Sequence, residues 1–558
     1  MDLTTDFLIV GCGPAGASLA CFLGSHGLTG IVIGAASGTA DTPRAHITNM
    51  AALECLRDIG LEREVERVAS RFGCMEHTRW CHSMAGEEFA RVYAWGHDPR
   101  RMGDYALASP CTPADMPQTL LEPILIRYAS HHGFHVRFDT KLTALTIQDD
   151  EATISATVVD TLSHARYRIQ TRYLLAADGA RSLVVRELGL PLRKRAGQGA
   201  AFNVLVRADL EHLVKARSGN LHWVVRPGEE DGVFAAMGIV RMVRPWDEWL
   251  FILFPRRESV EVSEELCSRR VRLLIGDETP FEVVGVSKWQ INDVVAERYS
   301  KGNVYDAPDW MGYSCLLTAS PRFCLGDAVH RHPPMNGLGS NTGIQDAYNL
   351  AWKLAFVHKG QAGRSLLDTY DAERQPVGEE VVSRANQAFK DHARLWAALG
   401  VTPAGGEGEG LRALQELGEV GERGERRRRE LRLGVEETTA EFHGLGVEMG
   451  QRYCSEAIFD AHEPEPWKAK GKAAQDATRY YTRETYPGCR LPHAWLNKAT
   501  PTKAISTLDV AGHGRFVLLT GVGASSAWKT EAARVSAALG VEIGVSSIGF
   551  RQDWEDAG

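Results

Sequence analysis

The 558-residue chain has no C-x-x-C pair and no metal-ligand spacing among its eleven cysteines. It also lacks any Ser, His and Asp ordered for nucleophilic catalysis. Cysteines scattered in this way exclude a disulfide scaffold or a zinc module, and no metal is expected. They read as reduced, buried packing residues of a cytoplasmic protein. Charge of one sign is scarce as well. A net charge of −8 and a pI near 6.2 give no reason to expect nucleic acid or an anionic membrane as partner. Long hydrophobic runs are nearly absent. The one candidate, Phe7–Gly24, holds motif glycines and a proline and follows acidic Asp2 and Asp6. It therefore reads as strand, turn and helix, not as leader or membrane anchor.

Three short glycine–aspartate signatures are present in one order, and together they describe a chain folded around FAD. The first is Asp6-Phe-Leu-Ile-Val-Gly11-Cys-Gly13-Pro14-Ala15-Gly16, the second Leu174-Leu-Ala-Ala-Asp178-Gly179, and the third Phe323-Cys-Leu-Gly326-Asp327-Ala-Val-His330. In the first, Gly11 permits a tight turn, Gly13 lets backbone approach a pyrophosphate, and Gly16 lets helix and strand pack closely. The following helix offers its N-terminal N–H groups to the phosphates. One expected feature is missing. The second strand, Thr29–Ile33, should end in Asp or Glu for the adenosine ribose, but Gly34 stands there. Gly521-Val-Gly523 lacks a third glycine, so no second dinucleotide fingerprint exists.

A chain of this length implies about three domains. The pattern predicts α/β and α+β architecture: a discontinuous Rossmann-like FAD-binding domain (1–190 and 323–403) and an antiparallel-sheet substrate domain (191–300). A connector (404–485) and a small terminal α/β domain (486–558) follow. Within the first part, helical spacing predicts one helix from Asn49 to Val68. Residues 72–115, rich in aromatics, His and Cys, read as an irregular substrate cover. Helices are expected over Leu120–His132 and Thr342–His358 and a strand over Tyr167–Ala177. Short alternating runs over 199–300 suit antiparallel strands. The Gly, Glu and Arg tract at 404–432 reads as a solvated, partly helical connector.

Asp178 and Asp327 follow hydrophobic strands, where a carboxylate can reach cofactor hydroxyls or cap a helix. The segment Pro333-Pro334-Met-Asn-Gly337-Leu-Gly339-Ser-Asn341 opens a helix whose N-terminal dipole suits the negative pyrimidine edge of a flavin. No nucleophile is apparent here, so the cofactor would carry the hard chemistry.

With these motifs, Thr42-Pro-Arg44-Ala-His46-Ile-Thr-Asn49 and Val240-Arg241-Met-Val-Arg244-Pro-Trp246, the chain resembles the single-component FAD-dependent aromatic hydroxylases over nearly its whole length. The similarity is to their phenol and dichlorophenol monooxygenase branch. The resemblance implies that NADPH (or NADH) reduces the flavin and that dioxygen forms a C4a-hydroperoxide. The hydroperoxide then attacks a small phenolic substrate ortho to its hydroxyl. Phenolate reacts far better than phenol, so a base is useful, and histidine suits the task. The resemblance gives that role to His46, or else leaves it holding its loop. It gives cofactor contacts to Arg44 and Gln118, and puts Arg241 and Arg244 near ring or substrate, with surface ion pairs as the alternative. It further implies a thioredoxin-like terminal domain without redox cysteines, serving packing or homodimer contacts.

Two departures from that family stand out. Its strand runs from a Gly-x-Val directly into Phe-Cys-x-Gly-Asp, whereas here Tyr305–Arg322 separates Val304 from Phe323, making 301–322 an atypical region. It reads either as an in-frame retained intron or as a tolerated loop, since loop closure costs rise slowly with length. The terminal domain also reads as shortened, which would expose an edge strand. These departures raise the alternative of a catalytically impaired flavin-binding relative.

Overall fold

The computed structural model describes residues 2–70, 73–147, 153–195, 199–228, 232–257, 261–302, 321–401, 407–523 and 525–557. Its organising element is a parallel sheet. Strands Arg322–Cys324, Arg166–Ala176, Asp2–Val10, Gly30–Ile33 and Phe134–Arg137 lie side by side in that order. The strand cores are continuous apolar runs such as Phe7–Val10 and Tyr173–Ala176, buried on both faces, as a covered parallel sheet requires. Helix Pro14–Ser25 packs between this sheet and helix Gly339–His358. All three glycine–aspartate signatures follow the carboxyl ends of adjacent strands, which is where open α/β sheets bind ligands.

A second sheet of seven strands faces the flavin half, in the order Glu282–Gln290, Ala200–Arg207, Glu248–Pro255, Phe234–Arg244, Gly219–Val225, His77–Cys81 and Glu88–Tyr93. It corrects the reading of 72–115 as irregular, because His77–Cys81 pairs parallel to Gly219–Val225. Alternation is hard to see there because both faces are covered: Thr78 to Cys81 are buried in succession. The helix expected over Asn49–Val68 is two, Met50–Asp58 and Glu62–Val68. Gly60, at φ +82°, breaks it. The arginine-rich tract is helical, with Glu407–Gly418 and Glu422–Phe442 packed together.

Residues 303–320 lie outside the described residues, and with them most of the atypical stretch. Its described flanks bear on its placement. Ser300–Lys301 and Arg322–Cys324 are antiparallel partners, with Lys301 opposite Arg322. The chain therefore leaves and re-enters between two strands instead of interrupting one, and Arg322 is itself a buried strand residue.

Near the C-terminus, parallel strands Phe516–Thr520 and Ile543–Ser547 flank helix Ser525–Leu539. This unit meets the flavin half through Asp509, which accepts hydrogen bonds from Arg57 Nε at 2.8 Å and Nη2 at 2.9 Å. A second tie joins His513 N to Asp58 Oδ1 at 2.7 Å. Among the described residues no helix is long and apolar enough to cross a membrane.

Candidate active site and cofactor cradle

The glycine turn is built so that two of its positions admit no side chain. A Cβ on Gly11, at φ +113°, would lie 2.1 Å from Ala177 O, and one on Gly16 would lie 2.1 Å from Gly11 O. Gly13 is different. Its nearest neighbour would be Glu122 Oε1 at 3.9 Å, so its face is open. Helix Pro14–Ser25 then starts with no side chain capping its N–H groups. A bare, uncapped helix start beside an open glycine fits a pyrophosphate. The third signature closes on the first here: a Cβ on Gly326 would stand 3.0 Å from Ala15 Cβ, and one on Gly343 3.1 Å from it.

The missing ribose carboxylate has a steric explanation. A Cβ on Gly34 would meet Cys12 Sγ at 2.7 Å, so the cysteine of the first signature occupies the space an acidic side chain would use. A different carboxylate sits nearby. Buried Glu122 accepts from Ala40 N at 2.6 Å and from Gln118 Nε2 at 2.5 Å. Burial raises its pKa, opposed by these bonds and by Arg44. Gln118 is thus held at the start of helix Gln118–His131, while Arg44 is exposed.

The aspartates divide between structure and surface. Asp178 Oδ2 accepts from Leu183 N at 2.8 Å and Val184 N at 3.3 Å, the capping geometry, with Gly179 following at φ +74°. Asp178 Oδ1 is buried without a hydrogen-bond partner among the described residues. Asp327 is exposed. The buried carboxylate of this region is Asp346, which accepts from His330 Nε2 at 2.8 Å, Arg374 Nε at 2.8 Å and Gly326 N at 3.2 Å. Burial would raise its pKa, but Arg374 and His330 hold it below the usual value. Pro334 is exposed, and Gly337, at φ +62°, lies against Ile47. Gly339 begins the helix.

Asn341 works as a staple. Its Nδ2 donates to Ile47 O at 2.8 Å and Gly337 O at 2.6 Å, while its Oδ1 accepts from Asn49 N at 3.0 Å. The other side of the same loop is pinned by Met116 N to His46 O at 2.6 Å and Gln118 N to Ala45 O at 2.8 Å. His46 is therefore fixed from both flanks.

Around it lies a cluster only partly visible in the sequence. His46 Nδ1 is 3.7 Å from Asp115 Oδ1. Asp115 Oδ2 accepts from Asn220 Nδ2 at 2.5 Å and from Arg241 Nη2 at 3.3 Å. All four residues are buried. Burial, then the positive charge of Arg241, pushes His46 well below its ordinary pKa. Burial raises that of Asp115, with Arg241 and Asn220 pulling it down. The resting arrangement is thus a neutral imidazole beside a carboxyl group that accepts from Arg241 and Asn220. Both His46 ring nitrogens, Asp115 Oδ1, Asn220 Oδ1 and Arg241 Nε have no hydrogen-bond partner among the described residues. So many unpaired buried polar atoms mark a ligand-binding site, since each costs about 1–3 kcal/mol when left unmet.

Arg244 does not join this group. It is exposed and donates from Nε to Glu248 at 2.8 Å, the surface ion pair weighed for it. Asp115 and Asn220 were missed: Asp115 precedes Met116 without a motif of its own, and Asn220 is an isolated amide. Cavities of about 570 and 380 Å³ occur elsewhere, around Asp368 and Arg452 and around Lys470 and Tyr480.

A largely parallel sheet ending in a bare, uncapped glycine turn has the layout of a dinucleotide-binding protein. The FAD binding domain family model matches residues 4–309 and 317–385. The chain belongs to this family, within the FAD-dependent aromatic monooxygenases, and its cofactor is FAD. It is 41% identical over 559 residues to the 2,4-dichlorophenol 6-monooxygenase of Cupriavidus pinatubonensis, covering 100% of this chain and 89% of that one. It is 39% identical over 556 residues to the phenol 2-monooxygenase of a Pseudomonas species, covering 99% and 85%. The crystal structure of the flavin-dependent monooxygenase PieE in complex with FAD and substrate superposes with a TM-score of 0.89 at 35% identity, over 99% of this chain and 91% of that one.

Proposed function

We propose that the protein hydroxylates a small phenol ortho to its hydroxyl, consuming NADPH (or NADH) and dioxygen. The observation that carries this reading is the buried imidazole of His46, its loop held by Met116 and Gln118 on one side and Asn341 on the other, set beside the Asp115–Arg241 pair. FAD held in this cradle would supply the activation of dioxygen for insertion into the aromatic ring.

The protein's own residues prepare the substrate. His46, neutral and desolvated, accepts the phenol proton. Asp115 balances the imidazolium that forms, and Arg241 adds a positive charge for the phenolate. A pKa below the ordinary value keeps His46 unprotonated into mildly acidic solution, so the acid limb of activity falls below 6.5. Gly11, Gly13, Pro14, Ala15 and Gly16 would hold the pyrophosphate, and the start of helix Gly339–His358 would serve the flavin ring. Arg44, Gln118, Asp178 and Asp327 supply rim and hydroxyl contacts.

In this reading 1–190 and 323–403 form the flavin half. Residues 191–300 with strands 77–93 form the substrate sheet, 404–485 the connector and 486–558 a thioredoxin-like unit. The enzyme acts in the cytoplasm as a homodimer, with exposed Val522, Trp528 and Phe550 as apolar surface for assembly. Sedimentation gives the mass directly. No observation favours an impaired relative. The test is phenol-dependent NADPH oxidation with identification of the product. An ortho-diphenol formed in step with NADPH supports the reading, and oxidation without hydroxylated product contradicts it.

A further inference from the structure

We propose that the phenol site extends along the sheet face past Trp223 to Glu441 and His392, forming a subsite for a second hydroxyl substituent, remote from the reacting hydroxyl. This rests on the phenol reading above.

The sheet face leads there. Arg241 is paired across strands with Leu221, Ile239 with Trp223, and Trp223 with Trp80, so residues of one face run from the His46 cluster to the two indoles. His392 lies over that face, its ring 4.8 Å from Trp223, 6.3 Å from Trp80 and 5.3 Å from Trp396. Phe442 joins Trp80 and Trp95 to the same cluster, which also includes Ile47 beside His46.

This apolar cluster contains an unusual number of unmet polar atoms. Nε1 of Trp80, Trp95, Trp223 and Trp396, Nε2 of His392 and Oε2 of Glu441 are all buried without a hydrogen-bond partner among the described residues. Indole N–H groups only donate. The His392 Nδ1 bond to Ala388 O at 3.0 Å assigns the proton to Nδ1, leaving Nε2 as an acceptor 3.4 Å from Glu441 Oε2. Burial pushes the Glu441 carboxyl up to about 8 against the opposing pull of Arg384, Asn336 and Arg241, with Asp391 adding to the rise. The same burial lowers His392 to about 4. The pair is neutral, with donors in excess. An oxygen that accepts from indole N–H and can donate to the pair satisfies it; a methyl group or chlorine does not.

The test compares kcat/KM of the FAD-loaded enzyme for 3- and 4-hydroxyphenols against the matching methyl- and chlorophenols. Preference for the second oxygen by about tenfold or more is expected. Glu441→Gln should shrink that ratio while largely keeping turnover of the methylphenols. Trp223→Phe, which keeps a ring and loses one N–H, serves as the second variant if the first does not retain FAD. Equal kcat/KM values, or a ratio unchanged in the variants, would overturn the subsite. If no phenol is hydroxylated at all, the phenol reading fails. The subsite is then judged by perturbation of the flavin spectrum, which must be stronger for the hydroxyphenols or the subsite fails too.

Discussion

At His46 the environment changes what the residue type alone suggests. A solvent-exposed histidine would be half protonated near neutrality, but burial and Arg241 keep this one neutral. His46→Ala should lower kcat/KM by roughly 10²-fold or more near pH 7, from the usual contribution of a positioned base. The loss should shrink toward about pH 10, where a phenol ionises unaided; pH profiles of both forms check this. A defect independent of pH would remove His46 from the base role. In the proposed function Asp115 acts through His46, as a positioning residue. Asp115→Asn should lower kcat by about 10²-fold with a smaller change in KM, and steady-state kinetics separate the two. Arg244 gives a useful contrast. Its ion pair with Glu248 is surface-exposed, so Arg244→Ala should leave kcat/KM within about twofold.

Among elements, the loop Arg44–Asn49 is the piece on which the site depends. It has only two strand residues, Ile47–Thr48, paired with Ala114–Asp115, and Asn341 ties it to a helix nearly three hundred residues later in the chain. Asn341→Ala leaves Ile47 O and Asn49 N unmet in the interior, and should cost roughly 2–3 kcal/mol of stability, read as a lower midpoint in urea. Activity at a permissive temperature should fall too, because His46 loses one of its anchors. The sequence singled out Asn341 for a helix start facing the ring. Its side chain is instead consumed by backbone groups that no sequence pattern places beside it.

The same limit explains the other differences. Period and turn chemistry are local, so the glycine turn was legible, and the strand expected over Tyr167–Ala177 is found one residue earlier, at Arg166–Ala176. The strands at 77–93 were not legible, because they join a sheet formed much later in the chain, and the first of them, His77–Cys81, is buried without alternation. Asp115 became recognisable only when pairing placed it opposite Ile47. Gly34 shows the converse: its departure from the expected acid was plain, while its cause, the Cys12 side chain, needed three dimensions.

Across the whole molecule, the three signatures converge because one parallel sheet brings residues near 10, 177 and 325 to a common edge. The buried acids add a pH dependence. Glu441, at about 8 in the fold against an ordinary 4.5, binds a proton in the folded state that the unfolded chain has lost between those values. Its contribution to stability therefore declines as pH rises from about 4.5 to 8. Glu441→Gln removes that decline. Its advantage over the parent should grow with pH across the window to a few kcal/mol, at about 1.4 kcal/mol per pKa unit. Thermal unfolding at pH 5 and pH 8 measures the difference.

The account as a whole turns on one cofactor gripped at that sheet edge serving a phenol held by His46, Asp115 and Arg241. Turnover of a phenol with NADPH under isotopically labelled dioxygen tests this most directly. An ortho-diphenol carrying one labelled oxygen, formed only by FAD-loaded protein and nearly lost in His46→Ala, is the predicted result. NADPH consumption that yields only hydrogen peroxide, or a product whose new oxygen comes from water, would contradict it.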